Sequence, residues 1–218
     1  MNVSEAVAAR KSIRRFLDKP VSDEVLAELL TKAARAPSGG NLQPWRVYVI
    51  NGHTVPKFLT HLSESEVKEK AEYAVYPPDL ISPYRDSRFK VGEDMYALLE
   101  IGRDNKPARY AHLARNFEFF GAPAGFFCFV DRCMGPPQWS DLGMFLQTFM
   151  LLAQEAGLDT CAQEAWANRP QSVANFVNAP EELMLFCGMA IGYKDPDEAV
   201  NSLVSDRESL STWATFIS

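Results

Sequence analysis

Residues 141–160 read DLGMFLQTFMLLAQEAGLDT and contain the clearest helix of the chain. Asp141 or Ser140 can cap its first turn, and Gly157 followed by Leu158 supplies a C-terminal stop signal. Apolar side chains cover most of the circumference of the helix predicted between these signals, residues 142–156. Such a helix lies at the centre of a core, or between a core and a subunit interface. We therefore expect residues 142–156 to be the long central helix of the fold.

The segments on either side of this helix predict an α+β domain. Apolar or β-branched runs predict strands at residues 45–50, 124–130 and 184–191, and the second is uniformly apolar, as in a strand buried on both faces. Helical periodicity or composition predicts further helices at residues 3–14, 22–35, 63–74, 91–101, 108–119 and 171–177. We expect one domain over residues 1–218, with a small mixed or antiparallel sheet flanked by helices. Residues 192–218 are expected to form an extended C-terminal arm.

Composition excludes several classes of protein. The 218 residues carry a net charge of -6, which argues against nucleic acid as a partner because basic residues are not in excess. The N-terminus lacks the apolar segment of a signal peptide, and no apolar run approaches the roughly 20 residues of a membrane helix. We therefore expect a cytoplasmic protein without a membrane partner. The four cysteines and three histidines are scattered without metal-ligand spacing, so no metal site is expected.

A basic cluster near the N-terminus is the first candidate binding site. Arg10, Lys11, Arg14 and Arg15 fall within six residues, and on the predicted helix Arg10 and Arg14 would share one face. Paired guanidinium groups suit a phosphate or a carboxylate, whereas the simpler alternative is a solvated basic surface. The loop RAPSGGNLQPW at residues 35–45 is rich in small residues and neutral hydrogen-bonding groups. The chain contains neither a G-x-G-x-x-G sequence after a strand nor a P-loop, so any phosphate-bearing ligand binds by another arrangement.

Taken together, these segments resemble a known family. ARKSIRRF (residues 9–16), RAPSGGNLQPWRVYVI (35–50), RNFEFFGAPAGFF (115–127) and the central helix ending in AGLDT are similar to the flavin-dependent nitroreductase superfamily. The similarity extends from Ala9 to Arg207, and the middle of the chain resembles most the branch that includes nitrobenzoate reductases. One departure lies in the tail, where many members have K-x-R and this chain has Ser205-Asp206-Arg207.

The resemblance implies a homodimer that holds tightly bound FMN at the subunit interface, with the central helix at that interface. NAD(P)H would reduce the flavin, and a small aromatic electron acceptor, nitroaromatic or quinone-like, would then reoxidise it in a ping-pong reaction. No side chain need act as a catalytic acid or base, because the flavin N5 carries the chemistry. Three alternatives stay open: a reductive dehalogenase, an oxygen-dependent flavin-fragmenting enzyme, and a flavin-binding protein without turnover.

The resemblance also implies roles for individual residues. One group would bind the FMN phosphate and ribityl chain: Arg10, Lys11, Ser12, Arg14 and Arg207. A second would approach from the other subunit: Pro37, Ser38, Gly39, Asn41 and Gln43. A third would lie beside the flavin ring: Gln163, Glu164 and Ala165. Three residues are candidate substrate contacts: Phe120, Tyr84 and Arg85.

Overall fold

The structure is a computed structural model of the chain, and it describes residues 1–66 and 68–217. Its α-helices are α1 (Val3–Ala9), α2 (Asp23–Ala33), α3 (Thr54–Glu64), α4 (Tyr84–Leu98), α5 (Lys106–Ala114), α6 (Pro136–Glu155), α7 (Pro170–Val177) and α8 (Leu210–Trp213). Its strands are β1 (Arg46–Asn51), β2 (Ala124–Asp131), β3 (Asp159–Gln163) and β4 (Leu183–Gly192). Short 3₁₀ helices cover Gly39–Asn41, Arg115–Gly121, Glu164–Asn168 and Ala199–Ser202.

Within the described residues the strands form one antiparallel sheet in the order β1-β2-β4-β3. The sheet separates two apolar layers, because side chains of β2 alternate between its faces. Phe126 and Cys128 pack towards α2 and α6, whereas Phe127 and Phe129 pack towards α3, α7 and Trp166. The predicted α+β class, the antiparallel sheet and the burial of residues 124–130 of β2 are therefore confirmed.

The central helix is longer than predicted at its N-terminus. α6 begins at Pro136, and the Gln138 side chain accepts a hydrogen bond from the Gly135 N–H at 3.1 Å. The prediction that Asp141 or Ser140 caps this helix is therefore wrong, because both lie inside it. Its C-terminal stop is confirmed: Gly157 has the left-handed φ of +75° that glycine adopts without strain. Leu142, Phe145 and Phe149 are buried against the sheet.

Several other boundaries differ from the predictions. The helix predicted at residues 63–74 is absent at that place in the described chain, and α3 occupies Thr54–Glu64 instead. α4 starts at Tyr84, seven residues before the helix predicted at residues 91–101. β3 was not predicted at all. α1 ends at Ala9, five residues before the predicted end at residue 14.

The C-terminal part of the chain first packs on the rest of the domain and then becomes exposed. Lys194 forms an isolated bridge with Phe16, and Val200 and Asn201 are buried. From Val204 to Ile217 most side chains are exposed. No helix among residues 1–66 and 68–217 has the length and apolar character needed to cross a membrane.

Candidate functional site

A cavity of about 510 Å³ lies between the end of α1, α4, α6 and the C-terminal segment. The structure brings the basic cluster and the tail arginine together here, as members of one lining: Arg10, Lys11, Ser12, Arg14 and Arg207. Val91 of α4, Gln147 of α6 and Leu203 complete part of its wall. We call this cavity the basic pocket.

An extended segment, and not a helix, positions the arginines. Ser12 forms a parallel bridge with Thr160 of β3, and the Ile13 N–H donates to the Thr160 carbonyl at 3.0 Å. Alternate residues of an extended chain point to the same side, so Arg10, Ser12 and Arg14 share a side while Ile13 is buried on the other. The prediction that Arg10 and Arg14 share one face of a helix is therefore wrong. The grouping survives because a spacing of four residues suits both a helix and an extended chain.

The cations of the basic pocket are not neutralised by the protein itself. Among the described residues, no carboxylate pairs with Arg10, Lys11, Arg14 or Arg207, whereas Arg15 pairs with Glu198 at 3.5 Å. The Arg14 guanidinium donates to the Ser12 carbonyl at 3.1 Å, and Lys11 Nζ lies 3.5 Å from the Ser202 carbonyl. In a chain of net charge -6, a pocket with four unpaired cations fits a multiply charged anion such as a phosphate.

The tail segment is tied to α4 beside the basic pocket. Lys90 Nζ lies 2.8 Å from Asp206 Oδ2 and 2.6 Å from Asp94 Oδ2. The Arg207 guanidinium donates to the carbonyls of Ser205 and Asp206 and, at 2.8 Å, to the Ser205 hydroxyl. A lysine is therefore present next to Arg207, but it comes from α4 and is engaged by two carboxylates. Lys90 was not connected with the tail from the sequence, because Asp206 is 116 positions away from it.

Residues 163–165 lie at the end of β3, the strand whose Thr160 forms the bridge with Ser12. Cys161 of β3 lies within electrostatic range of Arg10, Arg14 and Glu164, and burial raises the pKa of its thiol to about 11. The Gln163 side chain is 2% exposed: its Nε2 donates to the Asn116 carbonyl at 2.8 Å, and its Oε1 accepts from Trp166 Nε1 at 3.3 Å. The Gln163 side chain is thus engaged inside the protein and is not free to contact a ligand.

The loop at residues 37–43 lies apart from the basic pocket, and none of its residues lines that cavity. Its predicted contact residues are largely exposed: Pro37, Gly39, Asn41 and Gln43, with Ser38 half-buried. Trp45 anchors its end by stacking on Phe145 of α6, with ring centroids 5.0 Å apart. A contact between this loop and a ligand in the basic pocket of the same chain therefore has no support. A contact with the pocket of a second copy stays a prediction.

The candidate substrate residues separate into two groups. Phe120 is 2% exposed and packs on His112, so the prediction that it contacts substrate is at odds with its burial. The reason is its left-handed backbone, with φ of 55°, which follows Phe119 at 49° and places both rings in the interior. Tyr84 and Arg85 are exposed at the start of α4, and Arg85 pairs with Asp86 at 3.0 Å. In the described chain, no three His, Cys, Asp or Glu side chains form a potential metal site.

His112 is a buried base on the inner side of α5. Its ring is 6% exposed, lies against Tyr96 and Phe120, and has an Nε2 without a hydrogen-bond partner in the described chain. Burial, reinforced by the charges of Arg115 and Arg14, lowers the pKa of His112 to about 4. His112 is therefore neutral in the folded protein at physiological pH.

We expect His112 to make the fold sensitive to acid. Between about pH 6.5 and pH 4 the unfolded histidine takes up a proton that folded His112 does not, which lowers the free energy of unfolding by up to about 3 kcal/mol. Above about pH 6.5 the residue is neutral in both states and adds no pH dependence. Urea unfolding of wild type and His112→Leu across this range measures the effect. The stability difference between the two proteins should change with pH only below about 6.5, and a constant difference would contradict the assignment.

Known proteins resemble this chain over nearly its whole length. The family model described as "Nitroreductase family" matches residues 7–193. A 4-nitrobenzoate reductase of Pseudomonas putida is 34% identical over 97% of this chain and 93% of its own length. A chloronitrobenzene nitroreductase of Comamonas testosteroni is 32% identical over 99% of this chain and 96% of its own length.

Solved structures of nitroreductases also superpose on this chain over its whole length. The FMN and NADPH-dependent nitroreductase NfnB from Sphigopyxis sp. strain HMH superposes with a TM-score of 0.94 at 40% identity, over 100% of both chains. The FMN-dependent nitroreductase NfnB from Mycobacterium smegmatis, in complex with NADPH, gives a TM-score of 0.92 at 25% identity, again over 100% of both chains.

Proposed function

The chain belongs to the nitroreductase family, in the branch that includes nitrobenzoate reductases, and from this premise we propose that it is an FMN-dependent NAD(P)H oxidoreductase acting on nitroaromatic or quinone-like acceptors. The observation that carries the proposal is the basic pocket. Within the described chain it collects four cations without carboxylate partners, and one of its lining residues, Ser12, bridges to Thr160 of β3, the strand that ends at Gln163. This distribution of charge fits a ligand with a phosphate at one end and a neutral ring at the other.

Different residues would contact different parts of FMN. Arg10, Arg14 and Arg207 would hold the FMN phosphate with charge-assisted hydrogen bonds, and the Ser12 hydroxyl and Lys11 would support them. The backbone of Gln163–Ala165 would lie along the ring edge, because the Gln163 side chain is occupied inside the protein. Bound FMN would supply the redox chemistry, taking hydride from NAD(P)H and passing electrons to the acceptor. The protein's own part is to bind, orient and shield.

We further propose that the working unit is a cytoplasmic homodimer. In a single chain the loop 37–43 and the C-terminal segment expose polar and large apolar groups: Trp213 is 68% exposed, Phe216 83% and Ile217 90%. Apolar area of this kind is normally covered by a partner. A second copy would cover it, and its loop would reach the basic pocket with Ser38, Asn41 and Gln43. Flavin absorbance should then elute with the dimer in size-exclusion chromatography, and a monomeric fraction should be colourless.

Steady-state kinetics test the reaction itself. With NADPH or NADH varied at several fixed concentrations of a nitrobenzoate, without oxygen, we expect the parallel double-reciprocal lines of a ping-pong mechanism. The nitro group should be reduced, and the flavin should be recovered intact at the end. Intersecting lines would contradict the mechanism. Consumption of the flavin in air, or turnover only with halogenated phenols, would instead favour the alternatives that share this fold.

A further inference from the structure

We propose that Asp141 of α6 is a positioning residue that holds the loop 37–43 in the shape it needs to contact FMN. The Asp141 side chain is buried, with 4% of the residue exposed. Its Oδ2 accepts hydrogen bonds from the Gly39 N–H at 3.2 Å and the Ser38 hydroxyl at 3.4 Å. The carboxylate thus joins the central helix to the start of the loop. The FMN part of this inference rests on the proposed function.

The backbone of the loop needs such a restraint. Gly40, Asn41 and Gln43 have left-handed φ angles of 58°, 56° and 48°. For residues other than glycine this conformation is unfavourable and persists only where surrounding structure imposes it. Asn41, Leu42 and Gln43 are exposed, so packing imposes little. The restraint therefore comes from specific hydrogen bonds.

Two hydrogen-bonded links supply the restraint, and both pass through Ser38. Its hydroxyl accepts from the Gln43 N–H at 2.8 Å, which closes the loop, and the same hydroxyl donates to Asp141. Asp141 therefore fixes the loop at Ser38 and Gly39, and Ser38 passes the restraint to Gln43. The Gln43 side chain in turn donates to the Asn41 carbonyl at 3.2 Å. The Gln43 carboxamide and the Asn41 backbone are thus linked through Ser38 to one buried carboxylate.

A purely structural role explains Asp141 less well. Burying a carboxylate is costly, and an apolar residue of similar size is often at least as stabilising at such a position. Asp141 does not cap α6, which begins at Pro136. Among the described residues, its carboxylate accepts hydrogen bonds from the loop alone. The charge is therefore placed where it shapes the loop.

The test compares Asp141→Ala and Asp141→Asn with Asn51→Ala as the matched control. Asn51 forms a similar side-chain-to-backbone link, donating to the Val21 carbonyl at 2.8 Å and accepting from the Gly52 N–H at 2.9 Å. It lies at the opposite end of α2 and β1 from the loop. Its removal should cost stability without changing the loop.

Two measurements are made on each protein: FMN affinity by titration of the apoprotein, and amide hydrogen exchange at residues 38–43 without FMN. Asp141→Ala should weaken FMN binding by about tenfold and speed exchange at Gly39 by about tenfold or more, since it removes a charged acceptor. Asp141→Asn keeps one acceptor oxygen and should recover most of both values. Asn51→Ala should change neither.

Unchanged exchange at Gly39 in Asp141→Ala would overturn the inference, as would an equal loss of FMN affinity in Asn51→Ala. If the wild-type protein took up no FMN, the proposed function would fail. Exchange at Gly39 would still decide whether Asp141 holds the loop.

Discussion

Arg10→Ala is expected to weaken FMN binding by about 10- to 100-fold, because a hydrogen bond between a guanidinium and a phosphate contributes about 1.5–3 kcal/mol. Arg10 lies at the end of α1, where the chain turns into the extended segment beside β3. No carboxylate pairs with it in the described chain, so its removal leaves no unpaired acid behind. Fluorescence titration of the apoprotein with FMN measures the effect.

Arg15→Ala is the matched control for this prediction. Arg15 belongs to the same basic cluster and has the same charge, but it pairs with Glu198 and does not line the basic pocket. Its removal should leave FMN affinity within about twofold of wild type, as expected for an exposed ion pair. Equal losses in the two variants would mean that the cluster acts through its overall charge and not through the geometry described above.

Gly188→Ala is expected to have the largest effect on stability. A Cβ at Gly188 would overlap the indole ring of Trp166, which is completely buried. Overpacking at such a place costs about 3 kcal/mol, because neither the central strand β4 nor the ring can move aside easily. Trp166 also donates a hydrogen bond to Gln163, so displacement of the ring should disturb the segment proposed to lie beside the flavin. Thermal unfolding and FMN affinity should both fall.

Gly102→Ala is the comparison for this variant. No atom lies within 4 Å of the Cβ that would be added at Gly102, and its φ is not in the left-handed range. Its free energy of unfolding should therefore stay within about 0.5 kcal/mol of wild type, the usual range for a surface change. A Gly188→Ala protein as stable as Gly102→Ala would show that the contact between Trp166 and β4 is looser than described.

The parts of the fold that could be predicted from sequence are the strongly patterned ones. The apolar run of β2 and the long apolar helix α6 with its glycine stop leave little choice of structure. β3 was missed because Asp159–Gln163 is short and mixed in polarity, and only its position at the sheet edge beside β4 makes it a strand. The predicted start of α4, residue 91, lies seven residues after the observed start at Tyr84. The first two turns, residues 84–90, are exposed and lack an apolar stripe, so no helical periodicity marks them.

The sequence indicated which residues come together in the basic pocket, but it did not indicate the backbone conformation that positions them. Arg10, Ser12 and Arg14 were grouped correctly for the wrong reason, because an even spacing aligns side chains in an extended chain as well as in a helix. Phe120 was named as a candidate substrate contact because an aromatic residue before a glycine carries no sign of the left-handed backbone seen at this buried position. The contacts of Asp141 with the loop and of Lys90 with Asp206 join residues distant in sequence, so no local pattern identifies them.

The most direct measurement follows the two half-reactions of the purified protein separately, in the absence of oxygen. FMN-loaded protein is mixed with NADPH or NADH while the visible absorbance of the oxidised flavin is recorded, and a nitrobenzoate is added after the nucleotide is removed. We predict that the absorbance falls much faster than that of free FMN with the same nucleotide, and returns in full as the nitro group is reduced. Bleaching no faster than that of free FMN, or a reduced protein that the nitrobenzoate does not reoxidise, would contradict the account.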